Sequence, residues 1–338
     1  MKPKRVLNIL VSIVVAGLFI WLAIRNIDTS ELWQQIRGVT LYWLPFFIII
    51  LLISHYLRAE RWRLLLTSTR TGTNESQEIR RSTLFAGVMM GYFFNSLIPR
   101  LGEVTRPVYV ARQHQMSSSN LIGTIVIERL FDMATMLFLM MFAALYLVQD
   151  AAVFQSLFGT EGWPWYFYLL LPGLFAAAAI GIWITRKVLI SLEKKEQISN
   201  AMLAGIVRKA RSFSDGIVSI RHVDNWPLFL LLTAGIWFGY VLMAWLPFFM
   251  MNMQEIYGLG LSDAVVVTMV SSVGVSIPTP AGIGSYHLLI QQSLSILYQV
   301  PAVTALTYAT VAHGVTVAAV LVLGPLTLWW DKARTLNQ

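Results

Sequence analysis

One long apolar stretch of this chain contains three ionisable residues within a window of five positions. Glu128, Arg129 and Asp132 follow the apolar run that begins at Leu121, and a charge inside a membrane-length segment costs roughly 2.5–3.5 kcal/mol on insertion scales. Glu128 and Asp132 are four residues apart and share one helix face. We expect an ionic cluster lining a polar cavity, in which Arg129 binds a phosphate through two parallel hydrogen bonds. A self-satisfied salt-bridge network is the alternative.

A second polar set precedes this stretch, where Pro99 and Gly102 interrupt an apolar run. Short helices that open at such a break direct N–H groups and positive dipole ends toward an anionic headgroup. Both sets together form the predicted substrate-binding site: Asn95, Arg100, Glu103, Arg106, Glu128, Arg129 and Asp132. For the part before Leu121, an ordinary basic loop is the alternative.

A second break occurs near the other end of the chain and carries no charge. Its prolines and glycines disrupt helical hydrogen bonding. Together with Pro99 and Gly102 they are predicted to form two gating hairpins, and helix packing is the alternative for the second break. Its residues are Pro278, Pro280, Gly282 and Gly284.

The composition is typical of a polytopic membrane protein. Of 338 residues, 57% are hydrophobic and 12% charged, whereas a soluble domain carries about 25% charge. The mean hydropathy is +0.64. The net charge of +8 comes from basic residues beside apolar spans, which is the positive-inside pattern rather than a nucleic-acid interface. The sequence lacks cysteine and motifs for nucleotide or zinc sites, so we predict no catalytic residue, cofactor or metal.

The predicted fold class is an all-α polytopic membrane protein with six full spans and two re-entrant or broken helical hairpins. A span needs about 20 apolar residues. Eight simple helices, with each hairpin made of two complete spans, are the alternative. The six predicted spans are Val6–Ile24, Leu41–Leu57, Leu121–Val148, Pro164–Thr185, Trp226–Met251 and Pro301–Trp330.

Loop charges predict the orientation of these spans. Arg58, Arg61 and further arginines follow the second span, and Lys332 and Arg334 follow the last. By the positive-inside rule these segments, and both termini, are cytoplasmic. The run Thr83–Pro99 must then enter from the cytoplasm and return to it, because the next span also begins on that side.

The two halves of the chain show the same order of elements. Residues 1–150 and 151–338 each contain span, span, hairpin and span, starting from opposite sides. This predicts an inverted-topology repeat, with the substrate site between the two broken segments. A basic amphipathic stretch near 189–222 is predicted to lie on the cytoplasmic membrane surface.

Four motifs occur along the chain: Arg58–Arg63, the Pro-x-x-Gly-Glu-x-x-Arg core of Asn95–Arg106, Glu128-Arg129-x-x-Asp132, and Pro278-Thr279-Pro280-x-Gly282-x-Gly284. Together they resemble the membrane region of the lysylphosphatidylglycerol synthase/flippase family. The resemblance implies a protein of the prokaryotic plasma (inner) membrane that moves a lipid between leaflets. This chain departs from the family at Ala281, where Gly is usual, and at His287, where an acid is usual. The resemblance also implies that this chain, without the soluble synthase domain, does not aminoacylate lipid itself.

The favoured function is a flippase-like transporter of an anionic or phosphorylated lipid, either a phospholipid or a polyprenyl-linked one. An intramembrane enzyme or accessory subunit of lipid or glycolipid synthesis is the first alternative, since paired carboxylates near arginine could activate a headgroup hydroxyl. A non-catalytic scaffold is the second. The expected partners are a membrane lipid substrate and a lipid-synthesis enzyme, and not nucleic acid.

Overall fold

A computed structural model describes residues 3–68, 79–148, 187, 211–213 and 215–336. Helices, and no β-strand, form the regular structure of this described part. The predicted span Pro164–Thr185 and most of the amphipathic stretch near 189–222 lie outside it. Its longer α-helices are α1 (Pro3–Ile24), α2 (Thr29–Arg37), α3 (Leu44–Ser68), α4 (Arg81–Leu97), α5 (Gly102–Gln113), α6 (Ser118–Val148), α7 (Trp226–Met250), α8 (Leu261–Ser276), α9 (Ser285–Tyr298) and α10 (Ala302–Leu336).

The long apolar helices confirm an integral membrane protein. By length and composition, three stretches of the described part are suited to cross a bilayer, namely Leu41–Thr67, Trp226–Met250 and Ala302–Arg334. A fourth arises if α1 and α2, which are bent by 90° to each other, count as one broken span. Helix α6 has 31 residues, about 46 Å at the usual rise, and contains the charges at positions 128–132. The six-span count and the repeat stay predictions.

Helix α3 is longer than the predicted second span, and this corrects the sequence analysis. The span was predicted to end at Leu57, which would place Arg58 and Arg61 in a loop. The helix instead continues to Ser68, because no Gly or Pro follows Pro45 within it and Arg, Glu and Leu are good helix formers. Both arginines are therefore buried helical residues.

Both predicted breaks are confirmed. Helix α4 ends at Leu97 and α5 begins at Gly102, and α8 ends at Ser276 before α9 begins at Ser285. The four arms have 17, 12, 16 and 14 residues, each shorter than the roughly 20 that a full span needs. How far each hairpin reaches across the membrane stays a prediction.

Close packing joins the two arms of the first hairpin. A Cβ built at Gly102 would lie 1.9 Å from the carbonyl oxygen of Gly91, and one at Gly87 would lie 3.0 Å from Val110. This pairing makes α4 and α5 antiparallel. The turn at Pro280–Gly282 in the second hairpin packs on α4 and on α1. The two broken elements are therefore in contact.

Helix α10 completes the packing around the first hairpin. It lies along α4 and α9, and the buried carboxylate of Asp331 accepts hydrogen bonds from Thr83 on α4, at 3.1 Å, and from Tyr109 on α5. Helix α3 packs most extensively on α7, and α6 packs on α5 and α8. These contacts bring α3, α5, α6 and α7 around one interior space.

Candidate functional site

Five charged side chains meet in the interior between α3, α5 and α6. None of them is more than 9% exposed. Their burial requires that the charges compensate one another, because an isolated ion in an apolar interior is very costly. We call this group the buried ionic cluster, and its members are Arg58, Arg61, Arg106, Glu128 and Asp132.

Glu128 is the centre of the cluster. Arg106 donates from Nη1 to Oε1 at 3.1 Å and from Nη2 to Oε2 at 3.0 Å, which is the bidentate fork typical of strong arginine–carboxylate pairs. Arg58 also donates to Oε1, and Arg61 Nη2 lies 3.6 Å from the same oxygen. One carboxylate therefore faces three guanidinium groups.

Asp132 lies one helical turn further along α6 and shares two of these arginines. Its Oδ2 accepts from Arg58 Nη1 at 2.9 Å and its Oδ1 from Arg61 Nη2 at 2.7 Å. Helix α7 supplies neutral acceptors, because Arg58 Nη2 donates to the Tyr240 hydroxyl at 2.9 Å and Arg61 Nη1 to Thr233 Oγ1 at 3.3 Å. The cluster thus connects α3 to both α6 and α7.

Aromatic rings fix the positions of the charged groups. The Arg106 guanidinium carbon lies 4.0 Å from the centre of the Trp62 ring, a cation–π distance, and Trp62 Nε1 donates to Thr124 Oγ1 at 2.9 Å. Next to Arg58, the Tyr240 hydroxyl that accepts from this arginine lies 3.3 Å from the Tyr92 hydroxyl.

The buried ionic cluster carries an excess of positive charge. Three guanidinium groups face two carboxylates, which leaves one net positive charge in the interior. In addition, the buried Nε–H donors of Arg58, Arg61 and Arg106 have no hydrogen-bond partner within the described part of the chain. Buried donors are nearly always satisfied in folded proteins. The cluster therefore has both the charge and the donor capacity to hold an anion.

Arg129 and Glu103 lie at the edge of the cluster. Their side chains are 40% and 39% exposed, and Arg129 Nε lies 3.5 Å from Glu103 Oε1. Arg129 Nη1 is 3.8 Å from Asp132 Oδ2. Arg58, Arg61 and Arg106 surround the two carboxylates more closely than Arg129 does, and phosphate binding by Arg129 stays a prediction.

The remaining residues predicted in the first hairpin have different positions. Asn95 Oδ1 accepts from the Gly102 N–H at 2.6 Å, and this bond closes the hairpin next to the cluster. Pro99 lies in the turn. Arg100 is exposed, has a φ of 63° and lies outside the cluster. Its predicted role in substrate binding stays a prediction.

The second hairpin is held by its own backbone and hydroxyl contacts. Ser285 Oγ donates to the Gly274 carbonyl at 2.8 Å and lies 3.1 Å from Thr279 Oγ1. Gly284 has a φ of 87°, and a Cβ there would lie 2.6 Å from the Ala16 carbonyl oxygen on α1. In the described ranges, no hydrogen bond joins this hairpin to the buried ionic cluster. The gating roles of Pro278, Pro280, Gly282 and Gly284 stay predictions.

A small cavity adjoins the cluster between α4, α5 and α6. Its volume is about 20 Å³, which is room for about one water molecule. The closed packing of Gly91 against Gly102 forms one of its walls. A ligand larger than water requires the helices around it to separate. Its polar lining residues are Arg58, Tyr92, Asn95, Glu103, Arg106 and Arg129.

Sequence reasoning missed several members of this site. Arg58 and Arg61 were assigned to a loop, although their spacing of three places them on one face of a continuing helix. Tyr92, Thr233 and Tyr240 gave no signal, because a single hydroxyl in an apolar run is common.

A metal site is not formed by the described side chains, which contain no group of three or more His, Cys, Asp or Glu residues close enough together.

The family of this chain follows from a comparison with known proteins. The profile described as the lysylphosphatidylglycerol synthase TM region matches residues 9–324. The chain belongs to this family. A relative from Methanocaldococcus jannaschii, the UPF0104 membrane protein MJ1595, is 23% identical over 275 residues, which cover 77% of this chain and 76% of that protein. No solved structure matches the chain. The membership confirms the resemblance, and it supports a lipid-related role in the membrane.

Proposed function

We propose that this protein is a flippase-like transporter that moves an anionic or phosphorylated lipid between leaflets. The observation that carries the proposal is the net positive charge of the buried ionic cluster. An interior charge of this kind is costly unless an anion compensates it. A phosphate group on a lipid provides both the negative charge and the acceptor oxygens that guanidinium groups bind best.

The chemistry of the site favours binding and release over bond-making. Arg106 and Arg58 hold Glu128 in ion pairs, so this carboxylate is ionised and its lone pairs are engaged. A general base needs free access to the proton it removes. We therefore propose transport of an unaltered lipid rather than catalysis.

The contact between the two hairpins supplies the element that could move. The Pro280–Gly282 turn packs on α4, and α4 and α5 enclose the small cavity at the cluster. Motion of the second hairpin would therefore reach the wall of the cavity. In an inverted repeat, two such elements open the site alternately to the two leaflets. In this proposal both termini are cytoplasmic and the protein lies in a prokaryotic plasma membrane, where a lipid-synthesis enzyme supplies the substrate.

The proposal is tested by lipid scrambling in proteoliposomes. Labelled phosphatidylglycerol, phosphatidylcholine and a polyprenyl phosphate are compared for the native chain, Arg106→Gln and Arg129→Ala. Arg37→Gln is the matched control, because Arg37 is an exposed arginine that stacks on Trp33, far from the cluster in sequence.

We expect movement of phosphatidylglycerol or of the polyprenyl phosphate, but not of zwitterionic phosphatidylcholine. Arg106→Gln should abolish this movement, Arg129→Ala should reduce it and the control should retain it. Equal movement with Arg106→Gln would overturn the assignment of the site. Movement of no lipid by a folded protein, or a covalently altered lipid, would favour the enzyme or accessory-subunit alternative.

A further inference from the structure

A groove lined by three arginines lies where α4 begins, at the open end of the first hairpin and apart from the buried ionic cluster. Its volume is about 790 Å³, within the range of about 300–1,000 Å³ typical of small-molecule sites. Arg80, Arg81 and Arg334 line it, and the lining residues within the described ranges include no Asp or Glu. We call it the arginine groove. The groove is therefore large enough for a headgroup and strongly positive.

The helix termini add to this positive potential. Arg80 is the N-cap of α4 and Arg81 is its first residue, and Arg80 makes no side-chain capping bond. The N-terminus of a helix already carries a partial positive charge, so cations there are unfavourable and an anion is favourable. Two arginines at this position add to the dipole charge, and the Glu60 carboxylate, 3.2 Å from Arg81 Nε, offsets part of it.

The two nearby carboxylates, Glu60 and Asp331, lie outside the groove, and the first forms an ion pair with the groove arginine Arg81. Glu60 accepts from Arg63 Nε at 2.9 Å and also pairs with Arg81 Nε at 3.2 Å. The Asp331 carboxylate accepts from Thr83 and Tyr109. Neither carboxylate lines the groove. Glu60 therefore offsets part of the Arg81 charge, while the described residues that line the groove are themselves basic, polar or apolar.

Aromatic rings line the rest of the groove and indicate an amphipathic ligand. Tyr56 and Trp330 are each 41% exposed, and the rings of Tyr56 and Phe85 are 6.1 Å apart. The Arg334 guanidinium carbon lies 4.2 Å from the centre of the Trp330 ring. Exposed Trp and Tyr next to arginine are typical of the headgroup level of a membrane protein. The lining thus combines phosphate-binding groups with apolar surface suited to acyl chains.

The groove and the buried ionic cluster lie on one face of α4. Phe85 lines the groove, whereas Val88, Tyr92 and Asn95 line the cavity at the cluster. These positions are spaced by three and four residues, which places them on the same side of the helix. From Phe85 to Tyr92 is about 10 Å along the helix axis. A headgroup in the groove would lie on the direct path to the cluster.

We propose that the arginine groove binds the headgroup of an anionic phospholipid, whose phosphate carries a net negative charge, from the adjoining leaflet. Arg81 and Arg334 hold the phosphate, and the aromatic side chains contact the lipid body. The groove is the loading site from which the lipid moves along α4 to the cluster. This loading role rests on the proposed transport function, whereas lipid binding in the groove does not.

Native mass spectrometry of the detergent-solubilised full chain tests the binding. The chain is titrated with phosphatidylglycerol or with phosphatidylcholine, whose headgroup has no net charge. We expect a preference for phosphatidylglycerol, and about tenfold weaker binding of it by the double variant Arg81→Gln/Arg334→Gln. The control Arg37→Gln, which removes a second Arg–Trp pair, should bind like the native chain.

Three results would overturn the groove assignment. They are equal binding of both lipids by the native chain, native-like binding by the double variant, and loss of binding in Arg106→Gln alone, which would place the headgroup at the cluster. Displacement of phosphatidylglycerol by inorganic phosphate, but not by chloride of equal ionic strength, would identify a site for the free ion. Groove binding without scrambling in proteoliposomes would refute the transport function and leave the lipid site standing.

Discussion

Arg106 donates to both carboxylate oxygens of Glu128, at 3.1 and 3.0 Å, across the interface of α5 and α6. The same carboxylate accepts a further bond from Arg58 on α3. The pair is therefore unequal, since Glu128 has other cationic partners and Arg106 has no other carboxylate among the described ion pairs. Substitution of Arg106 and substitution of Glu128 should therefore have different effects on the stability of the protein.

Neutralising Arg106 lowers the net charge of the buried ionic cluster by one, whereas neutralising Glu128 raises it by one. Arg106→Gln leaves two guanidiniums with two carboxylates, so the protein should fold with a near-native Tm and lose lipid movement. Glu128→Gln leaves three guanidiniums with one carboxylate and should destabilise the protein by about 3–5 kcal/mol. Thermal unfolding in detergent measures both. If Arg106→Gln were as destabilised as Glu128→Gln, the excess of positive charge would not be the property that matters.

Gly102→Ala should separate the arms of the first hairpin. The added Cβ would lie 1.9 Å from the Gly91 carbonyl oxygen, so the helices must shift at a cost of about 1–3 kcal/mol. Gly314→Ala is the control, because a Cβ there meets nothing within 4 Å and Ala favours a helix. The Tm of the first variant should fall and that of the second should not. A native-like Tm for Gly102→Ala would contradict the close approach of α4 and α5.

Tyr109→Phe should weaken the attachment of α10 to the first hairpin. The change removes the hydrogen bond to the buried Asp331 carboxylate and leaves the ring in place. A hydrogen bond to a charged group contributes about 1.5–3 kcal/mol. Thermal unfolding is compared with Tyr42→Phe, since Tyr42 is 69% exposed. Equal Tm values for the two variants would show that the Asp331 contact contributes nothing.

The start of α2 should depend on pH through Asp28. The Ser30 hydroxyl and the backbone N–H groups of Ser30 and Glu31 donate to this carboxylate and lower the pKa of Asp28 below its usual 3.8. The capping stabilisation is therefore complete above the unfolded pKa and is lost as the pH falls through the lower folded pKa.

Hydrogen exchange over Thr29–Arg37 measures the cap. The native chain should be better protected than Asp28→Ala at pH 6, and the difference should vanish at about pH 2. Asp28→Asn is the conservative variant, because Asn also caps helices. Its protection should stay close to native at pH 6 and be independent of pH in this range. Equal protection of the native chain and Asp28→Ala at pH 6 would refute the cap.

The sequence by itself determined the class of protein and the places where its helices break. Apolar runs long enough for the hydrocarbon core can be read directly, and Pro and Gly end helices through local sterics. The breaks before Gly102 and after Ser276 were predicted for this reason. Glu128 and Asp132 were placed on one face because the helical period is local.

Only the tertiary structure decided which arginines neutralise these carboxylates. Arg58 is 70 residues from Glu128 in sequence, and its selection depends on how α3 packs on α6 and α7. Arg129 is next to Glu128 in sequence, but one residue turns about 100° around a helix, so its side chain leaves the cluster for the edge. Ion pairing inside a membrane depends on which helix faces meet, and that is a property of the whole packed bundle.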